Sequence, residues 1–251
     1  MARMENIVKF DERPDLRDPV FIEGLPGVGN VGKIAADHLA EKLNAKRFAS
    51  VYSKHFPPQV TLDHECVAHL ASNGLYYVKD AGKNDLIFLL GDFQGMTAEG
   101  QFELAEEFVT LAISMNVSKV FTLGGYGIGN VVEDPRVLGA VSSASMKPEL
   151  ERHGVTFVPG EPSAGIAGAS GLILGMAQVR GIDAACLMGE TSGYFIDHKS
   201  SAVLLKVLMN ILDVDIDTKE LDERSQQMDE FTSKIKEIAE GQQKDQLGYF
   251  G

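Results

Sequence analysis

The sequence predicts an α/β protein built on a mostly parallel central sheet. Two observations carry this. Strand-like apolar runs recur along the chain with helix-like segments between them. Two of those runs, LIFLL (86–90) and KVFTL (119–123), are continuous rather than alternating, as strands covered on both faces of a parallel sheet are.

Strands are expected at about 20–25 (VFIEGL), 47–53 (RFASVYS), 85–91 (DLIFLLG), 117–123 (VSKVFTL), 155–158 and 182–188 (IDAACLM). Helices are expected at about 30–44, 98–115, 165–180 and 198–212. In the second helix Phe102, Ala105, Val109 and Ala112 repeat at helical spacing, with Glu99, Glu103, Glu106 and Glu107 opposite. The fourth contains VLLKVLMNIL, apolar almost all round, and should be largely buried. Residues 56–79 open with FPPQV and carry Asn73-Gly74 before LYYV, which predicts an antiparallel hairpin inserted between the second and third main strands.

The expected organisation is a core domain over 1–215, a charged amphipathic helix over 216–240 and a flexible tail over 241–251. Asp217 with Glu220 resembles a capping box, and Leu221, Met228 and Ile235 recur every seven residues, joined by Phe231 and Ile238. That seam either docks on its own domain or serves self-association or a partner.

Composition narrows the function classes. With 44% hydrophobic and 24% charged residues, the 251-residue chain is an ordinary globular protein. A formal charge of −13 gives no footprint for nucleic acid. The polar N-terminus and the lack of any run near ~18 apolar residues argue against secretion and membrane insertion. Cys66 and Cys186 are far apart, each in an apolar setting, so no disulfide framework is indicated and a reducing cytoplasm is the expected location.

The stretch GLPGVGNVGK at 24–33 follows an apolar run and carries two fingerprints at once. Gly27, Gly29 and Gly32 spell GxGxxG, and Gly27 through Lys33 spell GxxxxGK. A dinucleotide site needs an acid about 20 residues on, where Ser50 to Lys54 offer none; Lys54 or Arg47 would instead suit a 2′-phosphate. A P-loop needs a Ser or Thr after the lysine, and Ile34 stands there; Asp92 is the fair candidate for a magnesium-binding Asp. A nucleotide- or nucleoside-binding enzyme using this loop is the alternative function. The simpler account is that the glycines let a helix begin tight against its strand.

Other constellations are weaker. Asp63, His64, Glu65, Cys66 and His69 have metal-capable atoms, but strand alternation would split them between two faces, so no metal site is expected. Ser170 in GASG lacks the flanking pattern of a nucleophile elbow. His153 and His198 are expected at helix termini. Glu161 and Glu190 follow strands near glycines, where a paired-carboxylate role is an alternative to the commoner use in capping or hydrogen bonding to backbone amides.

Taken in order, FIEGLPGVGNVGKIAADHL, FPPQV, LLGDFQ, TLGG at 122–125, GIAGASGLILGMAQVRGIDAACLMGET and the helix at 198–212 resemble the proteasome assembly chaperone family in its archaeal-type single-chain form, formerly described as ATP-grasp-like. The resemblance spans roughly residues 15–215. It implies a three-layer α/β/α sandwich of phosphorylase/hydrolase-like architecture and a non-enzymatic, cofactor-free, homo-oligomeric chaperone or adaptor that docks on proteasome α subunits or the α-ring. Several members end in a hydrophobic residue, tyrosine and any residue, a motif that enters pockets between α subunits. Here Tyr249, Phe250 and Gly251 match it, with phenylalanine in place of tyrosine, so the ring is kept and the hydroxyl donor is lost.

Overall fold

A computed structural model describes residues 6–162 and 165–227. Met228, Phe231, Ile235, Ile238, Tyr249, Phe250 and Gly251 therefore lie outside the described residues.

The chain runs through β1 (Ile7–Phe10), β2 (Val20–Gly24), α1 (Val31–Lys42) and β3 (Lys46–Tyr52). A small hairpin of β4 (Val60–Leu62) and β5 (Ala68–Leu70) leads into β6 (Ser72–Ala81) and β7 (Asn84–Gly91). The second half comprises α2 (Ala98–Ser114), β8 (Lys119–Gly127), β9 (Val137–Val141), α3 (Lys147–Arg152), β10 (Val155–Thr156), α4 (Ala169–Val179), β11 (Asp183–Thr191) and α5 (His198–Leu212). A nine-stranded sheet has the order β1-β3-β6-β7-β2-β8-β11-β9-β10.

Its centre, β7-β2-β8-β11, is parallel, as the continuous apolar runs predicted. Pairing turns antiparallel outward, through β6, β3 and β1 on one side and β9 on the other. Alternate residues of the central strands feed two separate cores. Ile22, Phe88 and Leu123 pack with α1 and α5 on one face, whereas Phe21, Ile87 and Val120 pack with α2 and α4 on the other. The result is a three-layer α/β/α sandwich.

Local capping fixes the helix starts. Thr97 accepts a hydrogen bond from the Gly100 amide at the head of α2, and Asp197 accepts one from the Ser200 amide at the head of α5. Beyond α5 the chain is helical again over 219–227.

Three local expectations are corrected. The inserted hairpin is β4–β5; Asn73 and Gly74 sit inside β6, paired with both β3 and β7, and the turn lies at Gly82, where φ is +69°. β6 is sandwiched between two strands, so pairing on both edges outweighs the turn preference of Asn-Gly. Phe102 faces outward, 58% exposed, because Leu104, Ala105, Phe108 and Val109 already fill the buried side of α2. Cys66 is exposed on the β4–β5 turn, while Cys186 is fully buried in β11 and its thiol is pushed up to about 12 by burial.

Candidate functional site

The glycine loop follows β2 as a single tight turn over Val28–Asn30, with Gly29 and Asn30 in the left-handed region at φ 62° and 51°. Close packing explains two of its glycines. A Cβ on Gly24 would collide with the Cβ of Ala36, and one on Gly32 would collide with the Leu123 carbonyl of β8. Gly27 is different: its backbone is extended and nothing lies within 4 Å of a Cβ placed there. The glycine that a dinucleotide site would use for its turn is the one with open space beside it.

Lys33 is held by three oxygens. Its Nζ donates to Asp37 Oδ2 at 2.9 Å and to the Gly91 carbonyl at 3.1 Å, and Asp92 Oδ1 lies 3.1 Å away. Burial works against its charge, and Asp37 and Asp92 more than offset this, so its pKa stands above the ordinary lysine value. A phosphate would have to displace two carboxylates to reach it. Asp92, at the end of β7, is thus committed in part to Lys33.

A second polar cluster lies under the N-terminus of α4. Glu23 is fully buried in β2; the Leu25 amide donates to its Oε1 at 3.0 Å and Ser170 Oγ donates to its Oε2 at 2.9 Å. Burial drives the Glu23 carboxyl up to about 7 against these hydrogen bonds. Ser170 also lies 3.2 Å from the Leu123 carbonyl oxygen, and Gln94 accepts from the Ala169 amide at 3.0 Å. Ser170 therefore anchors α4 to the sheet.

Glu190, inside β11, is gripped by Arg136, whose Nε, Nη2 and backbone amide all donate to its carboxylate. That pairing holds its pKa below the ordinary carboxylate range. Glu161 lies on an exposed loop before Pro162, and its charge acts on the same Arg136 that grips Glu190.

Asp63, His64, Glu65 and Cys66 occupy the β4–β5 turn rather than alternating along a strand, and His69 lies in β5. Asp63 Oδ2 meets His69 Nε2 at 2.8 Å, and Asp63 Oδ1 accepts from the Glu65 and Val67 amides. Among the described residues no three His, Cys, Asp or Glu are placed to hold a metal. His153 caps the end of α3 and His198 opens α5, at helix termini as expected. Burial, then Arg224, holds His198 below the ordinary histidine pKa.

Of the heptad seam, Leu221 is described. It is 2% exposed and belongs to the core formed by α1 and α5, so this position docks on its own domain. Asp217 Oδ1 accepts from the Lys219 amide at 2.9 Å, while Glu220 pairs with Lys42 and Arg224 in place of closing a capping box. Lys206 and Asp222, 2.9 Å apart, add a third link.

Sandwich, parallel centre and the tight glycine turn between β2 and α1 define the class of α/β protein. The PAC2 family model matches residues 21–236, and the chain belongs to that family. An uncharacterized protein of Methanocaldococcus jannaschii is 35% identical over 232 residues, covering 92% of this chain and 88% of that one. The crystal structure of Pyrococcus furiosus PbaB, described as an archaeal proteasome activator, superposes with a TM-score of 0.86 at 37% identity, covering 93% of this chain and 100% of that chain. Pyrococcus furiosus PbaA, described as an archaeal homolog of proteasome-assembly chaperone, gives 0.76 at 29% identity, covering 96% and 97%. The family resemblance carried by the ordered motifs holds. Among the described residues no helix is long and apolar enough to cross a membrane.

Proposed function

We propose that this chain is a non-enzymatic, cytoplasmic proteasome assembly chaperone or adaptor that docks on the α-ring of the core proteasome, in part through Tyr249, Phe250 and Gly251. One observation carries the reading: near-complete, two-way coverage against PbaB and PbaA, both described by their relation to the proteasome, at 37% and 29% identity. Two adjacent aromatics after the polar stretch GQQKDQLG support an anchor on a tether. The glycine-loop geometry supports a packing role over a nucleotide role, since Lys33 is already paired.

Self-association belongs to the same reading. Phe102 and Val179, 58% and 83% exposed, flank an apolar groove between α2 and α4, the kind of uncovered surface that marks interfaces. Several tails on one oligomer would raise weak single-tail binding through effective concentration. Deleting Tyr249 to Gly251 should abolish or strongly weaken co-sedimentation with α-rings; undiminished binding removes the tail from the mechanism. A single-copy mass by light scattering of the full chain removes self-association.

A further inference from the structure

A cavity of about 500 Å³ runs along β3 and β6 to the carboxyl end of β7, walled by the first turns of α1 and by the β4–β5 hairpin. Its Lys33–Asp92 wall borders the point where an open α/β sheet gathers ligands. From β2 the chain leaves through α1 on one face, and from the neighbouring β7 it leaves through α2 on the other, so a crevice forms between connections that diverge. Its size is that of a metabolite site.

The wall chemistry narrows the ligand. Lys33 and Arg47 face Asp37 and Asp92 across one lining, so formal charges balance there although the whole chain carries −13. Lys33 is held by the two aspartates. Among the described residues Arg47 reaches only Ser72 Oγ, at 3.4 Å, which leaves its planar fork open to a carboxylate. The β3–β6 register slips between Arg47 and Ala49, an irregularity of the sort that re-aims side chains beside sites. Asp92 gives one oxygen to Lys33 and its side chain is 76% exposed, so acceptor capacity remains for a ligand cation. A polyanion meets two aspartates in this cavity, and a simple cation meets Arg47 and Lys33. A molecule with both charges satisfies both.

We infer that the cavity is a binding site for a small zwitterion, a free amino acid or dipeptide, whose carboxylate takes Arg47 and whose ammonium takes Asp92 and Asp37. This goes beyond proteasome docking and stands or falls without it.

The test is isothermal titration of the full chain with free proteinogenic amino acids and alanyl dipeptides up to ~10 mM, beside their N-acetyl and amide derivatives and ATP. Saturable binding of a zwitterion is expected, with the capped derivatives at least tenfold weaker. Arg47→Gln should weaken binding roughly 10- to 100-fold, as loss of a charged hydrogen-bond pair does, with an unchanged thermal midpoint. Asp92→Asn, on an exposed turn, serves as the second variant should Arg47→Gln misfold, and should also weaken binding. No zwitterion binding, equal binding of capped derivatives, preference for ATP, or wild-type affinity in a folded variant would each overturn the assignment.

Discussion

Ser170, at the head of α4, and Glu23, in the central strand β2, are 147 positions apart and meet at 2.9 Å, joining helix to sheet through a fully buried carboxyl. Because burial raises that carboxyl to about 7, it is largely neutral in mildly acidic solution. A neutral Glu23 can donate to Ser170 Oγ, which in turn donates to the Leu123 carbonyl.

A carboxyl whose pKa is higher folded than unfolded favours folding least when ionised. Stability should fall as pH rises from the ordinary value near 4.5 to about 7 and stay low above it. The size is roughly 3 kcal/mol by the linkage conversion. Glu23→Gln keeps both hydrogen bonds and should flatten this slope, so that the variant equals or exceeds wild type above neutrality. Urea midpoints from pH 4 to 8 measure it, and parallel slopes for the two proteins would refute the assignment.

Gly32 and Gly27 belong to the same apparent fingerprint and predict opposite outcomes. Gly32→Ala drives a Cβ into the Leu123 carbonyl and should cost about 2 to 3 kcal/mol. Gly27→Ala meets open space and should lie within ~0.5 kcal/mol of wild type. Thermal unfolding of the two variants decides; equal losses would contradict the packing account.

Leu221 is the buried apolar anchor of residues 219–227, after Val214 and Ile216 pack on the same core, with Lys42–Glu220 and Lys206–Asp222 as polar links. Leu221→Ala should loosen residues 219–227 by about 2 kcal/mol as a local event. Faster amide exchange confined to that segment is the expected signature. High salt alone should change it little, since exposed ion pairs contribute little.

Arg136 keeps Glu190 ionised inside β11. A carboxylate depressed in the folded state adds stability above its unfolded pKa and loses it as pH falls through the folded one. Arg136→Ala should lower the urea midpoint at pH 7 and narrow the gap between pH 7 and pH 3. An unchanged gap would show that the pair does not set acid sensitivity.

Long periodic segments and continuous apolar runs were legible from sequence, while β9 and the pairing of Asn73-Gly74 were not. The α2 and α5 bounds follow from Thr97 and Asp197, which advertise their caps locally. β9 escaped notice because VLGAV is brief and has small residues at its centre, and its partner β11 lies more than 40 positions on. Asn73-Gly74 misled because its environment, a strand on each side, is set by distant residues. The cavity was illegible for the same reason: Lys33, Arg47, His69 and Asp92 come from separate elements and none has a motif in common. Lys33 did stand out, but its partners Asp37 and Asp92 gave it a role that the glycine pattern did not foretell.

The unequal footing of the two glycines also bears on how such a chain drifts over generations. Position 32 rests on a neighbouring backbone and admits no side chain, while position 27 borders empty space. Replacements would accumulate at the front of the pattern and be purged at its rear. In distant descendants the apparent nucleotide signature would wear away from its first residue, leaving the left-handed glycine at 29 and the packed one at 32 as the durable mark of the fold.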